Sequence, residues 1–135
     1  MIFSKKNYKF FQVADKIAQT SNFNRIQIGC IVVVHNEIIA VGANREKTHP
    51  KQKYYNEIAG FKIKKNFIHA EVNALNKIKN INSLKNASIY IHRRDKNGNL
   101  AISRPCNACM SYIKQLGIKH IYYTTNLGYN YEKIS

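Results

Sequence analysis

The sequence predicts an α/β protein of three layers, a mixed sheet of four to five strands covered by helices. Three observations lead there. Apolar residues recur at three-and-four spacing in several separate stretches, which is the helical period. β-branched runs lie between those stretches and read as strands. The resulting order, helix, two strands, helix, strand, helix, strand, is that of helices packed on a sheet rather than of a bundle or a sandwich. At 135 residues the chain suits one domain able to bury a core without disulfide staples, so residues 1–135 are read as a single domain.

From Phe10, the residues Val13, Ala14, Ile17 and Ala18 form one apolar stripe, predicting a helix that docks onto the core. Thr20, Ser21 and Asn22 end it. Cys30 to Val34 read as a buried strand, and His35, Asn36 and Glu37 make a tight polar turn into a second strand, Ile38 to Val41. So short a connection makes the two strands antiparallel neighbours. Residues 45–68 are the least regular part, rich in Lys and punctuated by Tyr54, Tyr55, Phe61 and Phe67, with a short helix ending at Gly60. The next helix begins near His69 and turns Ala70, Ala74, Leu75 and Ile78 toward the core. Ser88 to Ile91 give a third strand, and the turn Asp95 to Asn99, containing Asn97-Gly98, lets Leu100 to Ser103 double back. Pro105 opens a further long helix, where its missing amide donor costs nothing. Ala108, Tyr112 and Leu116 stripe that helix, Gly117 ends it, and Ile118 to Tyr123 form a fourth strand. Tyr129 to Ser135 supply a short fifth strand or a tail.

Composition narrows the function. The balance of 22 basic against 7 acidic residues gives a formal charge of +15, which attracts polyanions and raises their encounter rate. The same residues would also serve as a solvated basic surface. There is no opening apolar run with a cleavage site and no apolar stretch of spanning length, so the expected location is cytoplasmic, with no membrane partner. Three cysteines are an odd number, and Cys106-x-x-Cys109 in a reducing compartment points to metal or redox chemistry rather than to disulfides.

The informative segments are His69-Ala70-Glu71 and Pro105-Cys106-Asn107-Ala108-Cys109, each at the predicted start of a helix. One imidazole and two thiolates are preferred zinc ligands, and three of them leave a fourth tetrahedral position for water. Glu71, two residues past the histidine, can stand beside the metal without ligating it. Zinc lowers the pKa of a bound water toward neutrality, and a nearby carboxylate can take that proton and hand it on. Cys30 reads as a small buried hydrophobe rather than a fourth ligand. His35, His49, His92 and His120 read as surface or packing residues, with His49 and His92 on loops expected to approach the pocket.

The two segments resemble the H-x-E and P-C-x-x-C signature of zinc-dependent nucleobase deaminases of the cytidine deaminase superfamily. The element order from Phe10 to Tyr123 is similar to the cytidine deaminase fold. That resemblance implies one Zn2+ per chain on His69, Cys106 and Cys109 with a catalytic water, and Glu71 as the residue that moves protons. It also implies that Asn44 contacts sugar or base, that the backbone of Ala70 reads the base edge, and that Ser103 and Arg104 lie over the exocyclic amine. A homodimer is allowed by the same analogy. The leading expectation for substrate is cytosine converted to uracil in single-stranded nucleic acid, DNA favoured. Lys51, Lys53, Lys62, Lys64, Lys65, Arg93, Arg94, Lys96 and Arg104 would then form a rim that grips phosphates, and Tyr54 or Tyr55 would stack a base. The alternative is a free nucleotide or nucleoside such as deoxycytidylate, which the compact chain favours. A third reading, a zinc-stabilised module that binds nucleic acid without catalysis, has no use for Glu71. Tyr122 and Tyr123 are expected to divide between core and solvent by strand alternation, unless one lines the base pocket.

Overall fold

A computed structural model describes residues 3–23, 25–61 and 67–134. Its main sheet has five strands in the order β2 (Glu37–Ala43), β1 (Gln27–Val34), β5 (Ala87–Arg94), β6 (His120–Thr125), β7 (Gly128–Lys133). Only β5 and β6 run parallel, so the sheet is mixed, as expected. Strand β1 is apolar almost throughout because both of its faces are covered. Ile31 and Val33 pack with Phe10, Phe11 and Ala14 of α1 (Lys5–Ala18), whereas Cys30, Val32 and Val34 join the larger core on the other side. That second side is built by α2 (Pro50–Ile58), α3 (Ala70–Leu75) and α4 (Asn107–Gln115). Cys30 is fully buried there, as its apolar neighbourhood predicts.

Several boundaries differ from the sequence expectation, each for a local reason. Helix α1 starts five residues before Phe10 because Ser4 and Asn7 form a reciprocal cap: the Asn7 amide donates to Ser4 Oγ at 3.1 Å, and the Ser4 amide donates to Asn7 Oδ1 at 2.8 Å. The turn between β1 and β2 contains only His35 and Asn36, both with positive φ, and Glu37 already belongs to the second strand. Pro105 does not open α4. Cys106 is the extended cap residue, with ψ 170°, so the proline sits one position outside it. Helix α3 has only six residues, and Ile78 reaches the core from beyond its end, ahead of a 3-10 helix at Ile81–Asn86. The turn at Asp95 to Asn99 does send the chain back, through an Arg94 to Leu100 bridge, and β7 provides the fifth strand.

Residues 45–68 hold an unexpected two-stranded ribbon, β3 (Arg45–Thr48) against β4 (Phe67–Ile68). Strands this short and this rich in charge carry no readable alternation. Tyr122 and Tyr123 alternate between the two covered faces rather than between core and solvent. Tyr122 stacks on Tyr90 at 4.3 Å beneath α1, and Tyr123 joins the opposite core. Among the described residues no helix is long and apolar enough to cross a membrane.

Two glycines set the layer spacing. A Cβ on Gly29 would collide with the Ala14 carbonyl oxygen and the Ala18 amide, so α1 lies directly on β1. A Cβ on Gly42 would fall 2.5 Å from the Ala74 amide nitrogen, so α3 lies equally close to β2.

Candidate active site and metal centre

The starts of α3 and α4 meet on one side of the sheet. His69 is the cap residue of α3 and Cys106 that of α4, and neither side chain caps its own helix. Both are therefore available to turn toward each other. Cys109 follows in the first turn of α4, fully buried. His69 Nδ1 lies 3.2 Å from Cys109 Sγ and 3.6 Å from Cys106 Sγ, and the three donor atoms all fall within 4.8 Å of one another. Ligands of one tetrahedral zinc ion stand roughly 3.5 Å apart, nitrogen to sulfur, so the donor set and its spacing fit that ion.

The charges in the cluster depend on each other. The hydrogen bond from Cys109, helped by His69 and opposed by burial, brings the Cys106 thiol down to about 4, a thiolate at neutral pH. The same hydrogen bond between the two sulfurs, together with burial, pushes the Cys109 thiol well up. Burial would depress His69, but the Cys106 hydrogen bond and the charges of Glu71 and Cys106 outweigh it and raise the imidazole. Burial also raises the Glu71 carboxyl, against the opposing charge of His69. At 5% exposure, Glu71 is a carboxyl inclined to hold a proton beside a cluster that favours a cation.

This cluster opens into a cavity of about 340 Å³, the lower end of the size range of small-ligand sites. Its wall is largely apolar, from Phe23, Ile26, Ile28, Phe67, Ile68 and Ile102. His69, Glu71 and Cys106 line the reactive end, while Asn44, Arg93, Ser103 and Arg104 supply the remaining polar groups. Ala70 lies between two lining residues, buried at the first position of α3. The expected metal, proton-transfer and substrate residues are thus brought together.

The expected basic and aromatic rim is only partly brought to the cavity. Arg93 reaches it, with Nε buried and without a hydrogen-bond partner among the described residues. Arg94 points to the opposite face of β5, as strand alternation requires, and is held there by Asp15 at 2.8 Å and 3.1 Å. Tyr55 is buried at 7% exposure and stacks on Tyr112 of α4 at 4.7 Å, so it is core rather than a platform for a base. Tyr54 is 57% exposed and packs edge-on against Tyr55, away from the cavity. Lys51, Lys53 and Lys96 are exposed and do not line it either. Lys62, Lys64 and Lys65 lie outside the described residues. His49 caps α2 and His92 is buried beside Asp15 under α1, so neither approaches the pocket.

A family model, the cytidine and deoxycytidylate deaminase zinc-binding region, matches residues 4–125. The chain belongs to this deaminase family. It is accordingly a zinc-dependent hydrolytic deaminase. Its fold is similar to that of the dCMP deaminase from the cyanophage S-TIM5, with a TM-score of 0.61 at 24% identity for the apo form, covering 89% of this chain and 82% of the other. The form of that protein in complex with dCMP and dUMP gives the same TM-score at 23% identity, covering 90% and 82%. Among curated proteins there is no match.

Several contacts that shape the deaminase site escape sequence reading, including the partners of Asn44, Ser103 and Arg104. Gln52 of α2, fully buried, accepts the His69 amide at 2.9 Å through Oε1 and donates to Asn56 Oδ1 at 2.9 Å. Asn73 and Lys77 tie α3 to the open edge of β2 by donating to the carbonyls of Ala43 at 2.8 Å and Val41 at 2.7 Å. Thr124 and Ser103 lock the loop before Cys106: Ser103 Oγ donates to the Ile91 carbonyl and accepts from the Thr124 amide, each at 2.8 Å. Arg104 is paired with Glu132 through two contacts of 2.8 and 3.0 Å. Asn44 joins two strand ends, accepting from the Ile28 amide and donating to the Ile26 carbonyl at 3.0 Å each. Apart from Gln52 and Asn56, four residues apart on α2, these pairings have no local sequence signal, since the partners are distant in the chain.

Proposed function

We propose that the chain deaminates a free cytosine nucleotide of the deoxycytidylate type, releasing ammonia and the uracil nucleotide. The observation that carries this reading is the cavity itself. It has the volume of a small-ligand site, apolar walls suited to a pyrimidine and a sugar, and in its lining Arg93, a cation with no carboxylate partner among the described residues, for a single phosphate. A polymer would need a groove with several cations and stacking rings, and among the described residues most of those considered for that role face elsewhere. The similar cyanophage protein, whose structure is in complex with dCMP and dUMP, supports the same substrate class.

In this reading His69, Cys106 and Cys109 hold the zinc ion, which when bound supplies an acidified water to the reaction. Glu71 would take one proton of the attacking water and deliver it to the ring nitrogen next to the amino-bearing carbon, then take the second from the hydroxyl now on that carbon and pass it to the departing amine, leaving a carbonyl and ammonia. Asn44, in the cavity lining, keeps one amide hydrogen and one lone pair beyond its two strand-end bonds, available to sugar or base. Ser103 and Arg104 contribute by shape and backbone near the amine, because their side chains are engaged by Ile91, Thr124 and Glu132. Ala70 presents its backbone to the base edge.

A second reading, cytosine in single-stranded DNA, is favoured by the formal charge of +15. Turnover of dCMP, deoxycytidine and cytosine-containing oligonucleotides, measured as ammonia release over a range of salt, separates the two. The nucleotide reading expects dCMP to be turned over, deoxycytidine poorly, and oligonucleotides not at all. Oligonucleotide turnover that falls steeply with salt, with dCMP inert, would replace it by the polymer reading.

A further inference from the structure

We propose that Gln52 is the positioning residue of the metal centre, fixing where the His69 imidazole stands relative to the two sulfurs. The inference rests on the zinc reading of His69, Cys106 and Cys109 and not on the choice of substrate.

Helix α3 is six residues long, about a turn and a half, too short to hold its own geometry in isolation. His69 cannot cap it with its side chain, because the ring faces the cysteines. The His69 amide precedes the first hydrogen-bonded turn and needs an acceptor from elsewhere. Gln52 Oε1 is that acceptor, at 2.9 Å and with no exposure to solvent. A buried primary amide is costly unless both ends are bonded, and here the other end is donated to Asn56 at 2.9 Å. An aliphatic side chain would fill the same space without orienting the His69 peptide.

The element that carries Gln52 also grips the cysteine helix. Tyr55, three residues along α2, stacks on Tyr112 of α4 at 4.7 Å with an interplanar angle of 28°. The acceptor for His69 is thereby tied to the same helix as Cys106 and Cys109. Imidazole and sulfurs take their relative positions from α2, although α2 contributes no ligand.

The test uses the full chain and metal binding as the readout. Zn2+ affinity is measured by competition with a chelator, and the ligand field is read from the visible absorption bands of the Co2+ form. Gln52→Met keeps the volume and removes the acceptor; Gln52→Glu keeps the acceptor. The expected result is a 10- to 100-fold loss of Zn2+ affinity and altered Co2+ bands in Gln52→Met, the usual consequence of removing a group that orients a ligand. Gln52→Glu should keep the wild-type band positions. If Gln52→Met fails to fold, Gln52→Asn, whose amide is drawn back by one methylene, should show the same loss. A folded Gln52→Met or Gln52→Asn with wild-type affinity and bands overturns the proposal. Wild-type protein that binds no Zn2+ would instead sink the metal reading itself, before any variant is made.

Discussion

Replacing Gly42 by alanine tests whether the short helix bearing Glu71 is placed by its contact with the sheet. The added Cβ would stand 2.5 Å from the Ala74 amide nitrogen and 2.9 Å from atoms of Asn73, where ordinary contact begins at 3.4 Å. Those are backbone and near-backbone atoms of α3, so no flexible side chain can yield, and the helix must retreat by about 1 Å. Overpacking of this kind costs about 1–3 kcal/mol, a fall in Tm of roughly 5–15 °C for a chain of this size. A displacement of about 1 Å at a reacting group lowers turnover by roughly 100-fold, so kcat should fall more than the loss of folded protein explains. Gly29→Ala is the control, because its Cβ meets α1 on the opposite face, away from the cavity. Thermal denaturation and ammonia-release kinetics should show both variants destabilised and only Gly42→Ala deficient in kcat at a temperature where both are folded. Equal kcat in the two variants would refute the claim that the β2–α3 contact sets the position of Glu71.

Glu71→Gln should reduce turnover by about 10²- to 10⁴-fold while retaining one zinc per chain, measured by metal analysis beside kinetics; loss of metal instead would make Glu71 part of the ligand set. Removal of zinc by a chelator should abolish turnover and lower Tm, both restored by added zinc, with a stabilisation of about 4 kcal/mol at a thousandfold excess over Kd. Stability should also fall as the solution is acidified. Burial holds His92 below its ordinary 6.5 despite the neighbouring Asp15, so the unfolded chain takes that proton first and stability declines as pH drops through 6.5. Burial would raise Asp15, but the Arg94 hydrogen bond and the charges of His92 and Arg94 hold it below its ordinary 3.8, so its contribution is lost as pH falls further, through that lowered value. A Tm flat from pH 8 to pH 3 would contradict both.

The parts of the molecule legible in the sequence are those in which one short segment contains its own reason. Cys30 to Val34 announce a strand buried on both faces, and His69-Ala70-Glu71 with Cys106-x-x-Cys109 bring their donors to adjacent helix starts. The parts that escaped depend on partners far along the chain. Tyr55 and Tyr54 read alike as aromatic residues beside lysines, and only the arrival of Tyr112 from α4 turns one of them into core. Arg93 and Arg94 are indistinguishable by composition, yet the pleat of β5 sends one to the cavity and the other to Asp15. The start of α1 is different. Its Ser4 and Asn7 cap was present locally, and the apolar stripe drew the boundary too late.

The shortness of α3 explains why so much of the site lies outside the signature. A six-residue helix gains little from its own hydrogen bonds, so its position comes from contacts with neighbours: Gln52 at the start, the β2 carbonyls bound by Asn73 and by Lys77 just past the helix end, and Gly42 beneath. Each acts at a different point, and together they leave the helix few ways to move. The His-x-Glu segment states which chemical groups are used. Whether they stand at reacting distance is decided by a glycine, a glutamine and an edge strand, none of which touches the metal ligands' donor atoms. A folded chain that keeps the signature and loses those supports should therefore keep its ligand residues and lose its turnover.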